Sequence, residues 1–67
     1  MACGFYETND WAYYGHCGST TVMIRIEHHN PFTDDWYWCV RPRETRLGTA
    51  AGISYAVYIG GVGCRPT

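Results

Sequence analysis

Short runs of alternating apolar and polar residues dominate the chain, and no segment keeps the helical period of about 3.6 residues over several turns. The clearest run extends from Thr20 to His28, where Val22, Ile24 and Ile26 share one face and mostly polar residues occupy the other. A period of two is typical of a strand with one buried side. The pattern therefore predicts β-structure in which this run supplies part of the core.

Turn-forming residues separate six such runs. Gly, Asn, Asp, Ser and Pro cluster between them, and these residues favour turns through their backbone conformations and short polar side chains. The predicted strands cover residues 3–8, 11–17, 20–28, 35–41, 44–47 and 53–59. Short strands at this spacing predict a single all-β domain over residues 1–67, an antiparallel six-stranded sandwich or small barrel.

The length of the chain makes covalent support necessary. A protein of 67 residues has a core that rarely gives more than ~3–5 kcal/mol of net stability. Four cysteines in so short a chain predict two disulfide bonds. Zinc sites need closely spaced ligand pairs, whereas 13, 21 and 24 residues separate the successive cysteines here, so we expect no metal and no cofactor.

The first two cysteines favour one of the three pairings. Residues 3–17 are symmetric about Asp10, and a hairpin centred there places Cys3 opposite Cys17, within reach of a disulfide. The remaining bond is then Cys39–Cys64. The same register predicts two further cross-strand pairs, Phe5 with Gly15 and Glu7 with Tyr13.

Disulfides also indicate the compartment. They persist in oxidising surroundings, so we expect a secreted, extracellular protein. The residues Met1-Ala2 carry neither the basic nor the apolar part of a signal peptide, and we interpret them as a start added to a mature secreted sequence. A cytosolic protein with free thiols is the alternative.

Charge and size exclude several classes of function. Five arginines, no lysine and six acidic residues give a net charge of −1, which does not provide the clustered positive face of a nucleic-acid binder. No apolar run approaches the ~18–20 residues of a membrane span. The chain is also too short for a dinucleotide-binding unit with a partner domain. We therefore expect neither nucleic acid nor a membrane as a partner.

Aromatic residues are the main candidates for a binding surface. Trp11 lies beside the tip of the first predicted hairpin, with Tyr13 on the same face and Tyr14 next to it. Exposed Trp and Tyr dominate the energetics of many binding surfaces, so this tip is a candidate binding loop. Alternatively, Trp11 folds back over the first disulfide as a lid.

A second aromatic group lies in the fourth predicted strand, where Trp36 and Trp38 alternate with Tyr37 and Cys39. If Cys39 faces inward, both tryptophans form an exposed apolar patch for a partner or ligand. If the tryptophans face inward with Val40, they supply bulk to the core. The need of a small core for bulk favours the second arrangement.

Three arginines surround Pro42. The guanidinium groups of Arg41, Arg43 and Arg46 can bind carboxylates of a partner through paired hydrogen bonds. Surface arginines more commonly form ion pairs within their own chain. The candidate acidic partners are Glu27, Glu44 and the Asp34-Asp35 pair.

Catalytic candidates are few, and we expect a non-catalytic protein. Only His16 and Glu27 are retained, and His16 lacks a nucleophile because its neighbour Cys17 is expected to be oxidised. A structural role, through a hydrogen bond to Tyr13 or Tyr14, is the better interpretation of His16. We expect the His28-His29 pair to be solvated.

The arrangement of cysteines and aromatic residues resembles the tendamistat-type α-amylase inhibitors of streptomycetes over nearly the whole chain. The matching segments are Cys3 through Cys17, Thr20 through Ile26, Cys39-Val40-x-Pro42, and Cys64. The resemblance implies a six-stranded sandwich with the bonds Cys3–Cys17 and Cys39–Cys64. It also implies an inhibitory Trp-Arg-Tyr triplet, which corresponds here to Trp11-Ala12-Tyr13, without the arginine.

Shorter motifs resemble an uncharacterised family of small secreted actinobacterial proteins, some of which carry a natural-product biosynthesis label. These motifs are Cys3-Gly4-Phe5-Tyr6, Ala12-Tyr13-Tyr14-x-His16-Cys17, Val40-x-Pro42, Leu47-Gly48 and Tyr58-Ile59-Gly60.

Two functional hypotheses follow. The first is a secreted binding or inhibitor protein that presents Trp11 and Tyr13 to a partner protein such as a glycoside hydrolase, with Tyr14 or the segment 41–46 at the rim. The second is an accessory protein of a natural-product pathway, which holds or helps to convert an apolar small molecule. In that case Trp36 and Trp38 line the pocket, which a dimer could enclose. His16 or Glu27 would then give acid–base assistance.

Overall fold

The computed structural model describes residues 1–67 and contains six antiparallel strands. The strands are β1 (Gly4–Glu7), β2 (Trp11–His16), β3 (Val22–His28), β4 (Trp36–Val40), β5 (Arg43–Thr49) and β6 (Ile53–Gly60). They form two three-stranded sheets, with the orders β1-β2-β5 and β4-β3-β6. The predicted all-β class and strand number are confirmed, although β5 begins one residue earlier and ends two residues later than predicted. None of the elements is a helix that could cross a membrane.

The core lies between the two sheets. Val22, Ile24 and Ile26 of β3 are buried, as their alternation predicted, and the last two are completely inaccessible. Burial of an aliphatic side chain of this size contributes about 1.5–3 kcal/mol. The other sheet contributes Ala12, Tyr14 and Leu47 to the core, with Phe5 packed against it. Val40, Ile53 and Ala56 come from the same sheet as β3 and complete the core.

The first hairpin turns over the two residues Asn9-Asp10 and is closed by Thr8. The Thr8 N–H donates to the Trp11 carbonyl at 2.9 Å, and the Trp11 N–H donates to Thr8 Oγ1 at 3.2 Å. The turn is thus centred half a residue before the predicted position. The register predicted from the sequence is wrong by one residue. The observed pairs are Phe5 with Tyr14, Tyr6 with Tyr13, and Glu7 with Ala12.

Both predicted disulfides are present. Cys3–Cys17 joins the open ends of β1 and β2 with a Cα–Cα distance of 5.7 Å, and Cys39–Cys64 joins β4 to the C-terminal segment at 6.0 Å. The symmetry argument reached the correct pair despite the wrong register, because both cysteines of the first bond lie just outside the paired residues.

The C-terminal segment returns across the outer side of β3 and β4. The backbone of Gly61 and Gly63 has φ angles of 66° and 80°, a conformation that glycine adopts without a steric penalty. The Gly63 N–H donates to the Thr21 carbonyl at 2.9 Å. Thr67 then forms two bonds with Cys39. Its N–H donates to the Cys39 carbonyl at 3.0 Å, and its Oγ1 accepts from the Cys39 N–H at 2.7 Å. The glycine-rich bend therefore brings Cys64 to Cys39, as expected.

The tryptophans of β4 face the side of the sheet that carries the core. Trp38 and Trp36 lie opposite Ile24 and Ile26 of β3. Trp38 is half-buried and packs against the core, whereas Trp36 is 40% exposed and stacks on Trp38 with their ring centroids 5.5 Å apart. Cys39 points the other way and is nonetheless buried. The favoured inward arrangement is confirmed for Trp38, while Trp36 lies at the margin of the core.

Candidate functional site

Trp11 lies exposed at the start of β2, far from the first disulfide. The Cys3–Cys17 bond lies beyond the opposite end of this strand, so the interpretation of Trp11 as a lid over that bond is wrong. The indole is 38% exposed. The guanidinium carbon of Arg46 lies 4.4 Å from the centroid of the Trp11 ring, in a cation–π contact. Such contacts contribute about 0.5–1 kcal/mol at exposed sites, so Arg46 restrains the indole.

Tyr13 extends this surface toward β1. Strand alternation places it on the same side as Trp11, and the register sets it between Tyr6 of β1 and Arg46 of β5. The Tyr6 and Tyr13 rings stack with centroids 5.3 Å apart and an interplanar angle of 17°. The Tyr6 hydroxyl donates to Oε2 of Glu44 on β5. We call this surface of Tyr6, Trp11, Tyr13, Glu44 and Arg46 the aromatic face.

Two members of the aromatic face were not predicted from the sequence. Tyr6 and Glu44 join it only through the observed registers of β1 with β2 and of β2 with β5. If the predicted hairpin register had been shifted by one residue, it would have placed Tyr6 opposite Tyr13. The two tyrosines would then have been predicted to share a face of the sheet. A bulge in β5 leaves Leu47 without a partner in β2, and Arg46 therefore pairs with Tyr13.

Tyr14 lies on the opposite side of β2 from the aromatic face. It is only 7% exposed and belongs to the core, so it does not form the rim of a binding surface. Burial raises the pKa of its hydroxyl above the ordinary value of 10.0, and the nearby hydroxyls of Tyr55 and Tyr58 raise it further. Tyr14 therefore acts as a structural residue.

The arginines near Pro42 do not form the ion pairs expected from the sequence. Both ion pairs of the structure involve Arg25, with Glu27 at 3.3 Å and with Asp35 at 3.7 Å. Arg46 is engaged by Trp11. The other two arginines of the segment 41–46 lie without an ionic partner beside a cavity.

This cavity has a volume of about 420 Å³ and opens at the connection between β4 and β5. We call it the β4–β5 cavity; its lining includes Trp38, Arg41, Pro42, Arg43, Thr45 and Pro66. Arg43 has a φ angle of 84°, a left-handed conformation that costs a non-glycine residue roughly 1–2 kcal/mol. Arg43 is exposed and begins β5, directly after Pro42.

The remaining candidates do not form a catalytic group. His16 Nε2 lies 2.6 Å from the Thr20 carbonyl, so its bond goes to the loop before β3 rather than to a tyrosine. Glu27 pairs with Arg25. His28 is not solvated as expected, since both of its ring nitrogens are buried without a partner and its ring lies edge-on to Trp36, with centroids 4.2 Å apart. No group of three His, Cys, Asp or Glu side chains is placed to hold a metal ion.

Comparison with known proteins gives one match. A family model described as "Family of unknown function (DUF6355)" matches residues 1–64. No curated protein and no solved structure matches the chain.

Proposed function

The chain belongs to DUF6355, a family of unknown function, and from its aromatic face we propose that it is a secreted, non-catalytic binding protein of the inhibitor type. The observation that carries the proposal is the Arg46 guanidinium held over Trp11 beside the stacked pair of Tyr6 and Tyr13. Trp, Tyr and Arg are the residues enriched at the energetic centres of protein interfaces.

The rigidity of the aromatic face suits such a role. Its central strand, β2, is paired on both sides and is tied by the Cys3–Cys17 bond at the end away from Trp11. The stacked rings and the Arg46 contact hold the side chains in place before any partner arrives. Association therefore pays little of the ordering cost that weakens flexible binders. The two disulfides are compatible with the extracellular setting that this role requires.

The partner is a protein, and the resemblance to tendamistat-type inhibitors suggests a glycoside hydrolase. We nevertheless predict no nanomolar inhibition of animal α-amylase. The residue that corresponds to the inhibitory arginine is Ala12, which is fully buried between Trp11 and Tyr13, and Arg46 is engaged by Trp11. Steady-state inhibition measurements test this. Nanomolar inhibition that disappears in Arg46→Gln would contradict the prediction and show that Arg46 reaches the catalytic carboxylates.

The proposed binding role is tested by capturing secreted proteins of the source organism on the immobilised chain and titrating those retained. We expect Trp11→Ala and Arg46→Gln each to weaken binding by about 2 kcal/mol, which is roughly thirtyfold. Tyr37→Ala is the matched control, because Tyr37 is 58% exposed and belongs to the other sheet. A captured protein that binds all variants equally well would refute the role of the aromatic face.

A second candidate function is the binding of a small molecule by a natural-product accessory protein. The observation that favours it is the β4–β5 cavity, whose volume of about 420 Å³ falls within the ~300–1,000 Å³ of ligand pockets. A concentration-dependent mass measurement shows whether a second copy covers this cavity. An obligate dimer would favour a pocket enclosed between subunits, whereas in a monomer the site is the open cavity of the single chain.

A further inference from the structure

The β4–β5 cavity combines unpaired positive charge with an aromatic wall. Arg41 and Arg43 both line it, on either side of Pro42, and neither forms an ion pair within the chain. Glu44 also lines the cavity, but its carboxylate accepts a hydrogen bond from Tyr6. Among the side chains of the lining, two guanidinium groups outnumber one carboxylate. Guanidinium groups bind carboxylates through short, charge-assisted hydrogen bonds.

The apolar part of the cavity is fixed in place. Trp38 lines the cavity and packs against the core, which restricts the motion of its side chain. Pro42 and Pro66 also line the cavity, and their rings restrict the backbone on both sides. Pro66 precedes Thr67, which is tied to β4 by two hydrogen bonds. The cavity is thus largely formed before a ligand binds, as in most small-molecule sites.

We propose that the β4–β5 cavity is a binding site for a small organic acid with a flat apolar body. The carboxylate lies between the guanidinium groups of Arg41 and Arg43, and the apolar body lies against Trp38. This site shares Glu44 with the aromatic face but uses different arginines, because Arg46 of the aromatic face is engaged by Trp11. The inference therefore stands whether or not the aromatic face binds a protein.

Benzoate is the probe, because it carries one carboxylate and one flat ring. Titration of the isotope-labelled protein, followed by amide and indole N–H resonances, should give saturable shifts at Trp38 and residues 41–45. Benzamide has the same ring without the charge, and acetate has the charge without the ring. We expect both to bind at least about tenfold more weakly than benzoate, since each lacks one of the two interactions. Equal binding of benzamide or acetate, or shifts confined to another part of the molecule, would overturn the proposal.

Two substitutions test the arginines directly. Arg43→Gly removes the guanidinium while leaving a residue that adopts a φ angle of 84° without strain, and Arg41→Gln removes the other charge. Each should weaken benzoate binding by about tenfold or more. Arg65→Gln is the matched control, because Arg65 does not line the cavity. The amide spectrum shows whether each variant is folded. Unchanged affinity in folded Arg41→Gln, or an equal loss in Arg65→Gln, would refute the proposal.

Discussion

Trp11 lies on the surface with Arg46 over its ring. We predict that Trp11→Ala lowers the free energy of unfolding by about 1 kcal/mol or less, because the indole lies on the outer face of its sheet, does not belong to the core and makes a cation–π contact at an exposed site. Denaturant unfolding measures this. A double-mutant cycle with Arg46→Gln should give a coupling energy of about 0.5–1 kcal/mol.

The control for Trp11→Ala is Ile24→Ala, which empties a completely buried position and should cost about 2–5 kcal/mol. A loss near 3 kcal/mol for Trp11→Ala itself would instead identify a core residue. The search for the binding surface would then move to Trp36 and Trp38.

Tyr14 makes stability depend on alkaline pH. Burial raises the pKa of its hydroxyl in the folded state above 10.0, whereas the unfolded chain keeps the ordinary value. The contribution of Tyr14 to the unfolding free energy is fully present below the pKa that its hydroxyl has in the unfolded chain. This contribution is lost as the pH rises from about 10 through the pKa of the same hydroxyl in the folded state. The unfolding free energy of the native protein should therefore be lower above that pH range than below it. The fall should be smaller for Tyr14→Phe, and equal falls in the two proteins would contradict the assignment.

Among the structural elements, strands were more predictable than the contacts between them. The alternation of Val22, Ile24 and Ile26 marked β3 and its buried face, because burial on one side imposes a period of two. The register of β1 with β2 was not predictable from the symmetric positions of Cys3 and Cys17, since a disulfide tolerates an offset of one residue. The position of the turn depends instead on the hydrogen bonds that Thr8 forms with Trp11.

The aromatic face was only half visible in the sequence for a related reason. Trp11 and Tyr13 lie two residues apart on one strand, so their shared side follows from alternation alone. Arg46 belongs to β5, about thirty residues away, and its place beside them depends on the bulge at Leu47. The strand alternation in β4 was ambiguous because Val40 is buried in the core on one side while Cys39 is buried on the other side, beside the C-terminal segment.

The glycine-rich bend after β6 offers a matched pair of substitutions. Gly61 and Gly63 both have positive φ angles, and an alanine in this conformation costs roughly 1–2 kcal/mol. A Cβ at position 61 would also lie 2.9 Å from Cβ of Met23, whereas a Cβ at position 63 meets open space. We predict that Gly61→Ala lowers the unfolding free energy by about 1 kcal/mol more than Gly63→Ala does. Equal losses in denaturant unfolding would show that Met23 moves aside freely.

At the scale of the whole molecule, two covalent bonds supplement a core of only ten buried apolar residues. The bonds span separations of 14 and 25 residues, and loops of this size stabilise a fold by about 3–3.5 kcal/mol each in the chain-entropy model. We predict that the paired change Cys3→Ser with Cys17→Ser, and likewise Cys39→Ser with Cys64→Ser, removes most of the net stability. Thermal unfolding of both variants checks this. A variant that melts within a few degrees of the native protein would contradict it.

The fold class was the most predictable property, since chain length, cysteine number and strand spacing all restrict the possible folds to a small disulfide-bonded β domain. The functional partner was the least predictable, because a flat surface of Trp, Tyr and Arg suits many proteins. The physical information that identifies a partner lies in the shape of the partner's surface, which this chain does not encode.

The two hydrogen bonds between Thr67 and Cys39 have a consequence for solubility. β4 pairs with β3 along one side only, and its outward backbone groups at Cys39 are those that Thr67 occupies. An open sheet edge rich in Trp and Tyr is a template for adding strands from other molecules. The C-terminal segment therefore acts as a protective cap on that edge, anchored by the Cys39–Cys64 bond. We expect reduction of this bond to free the cap and to make the same strand more prone to aggregate.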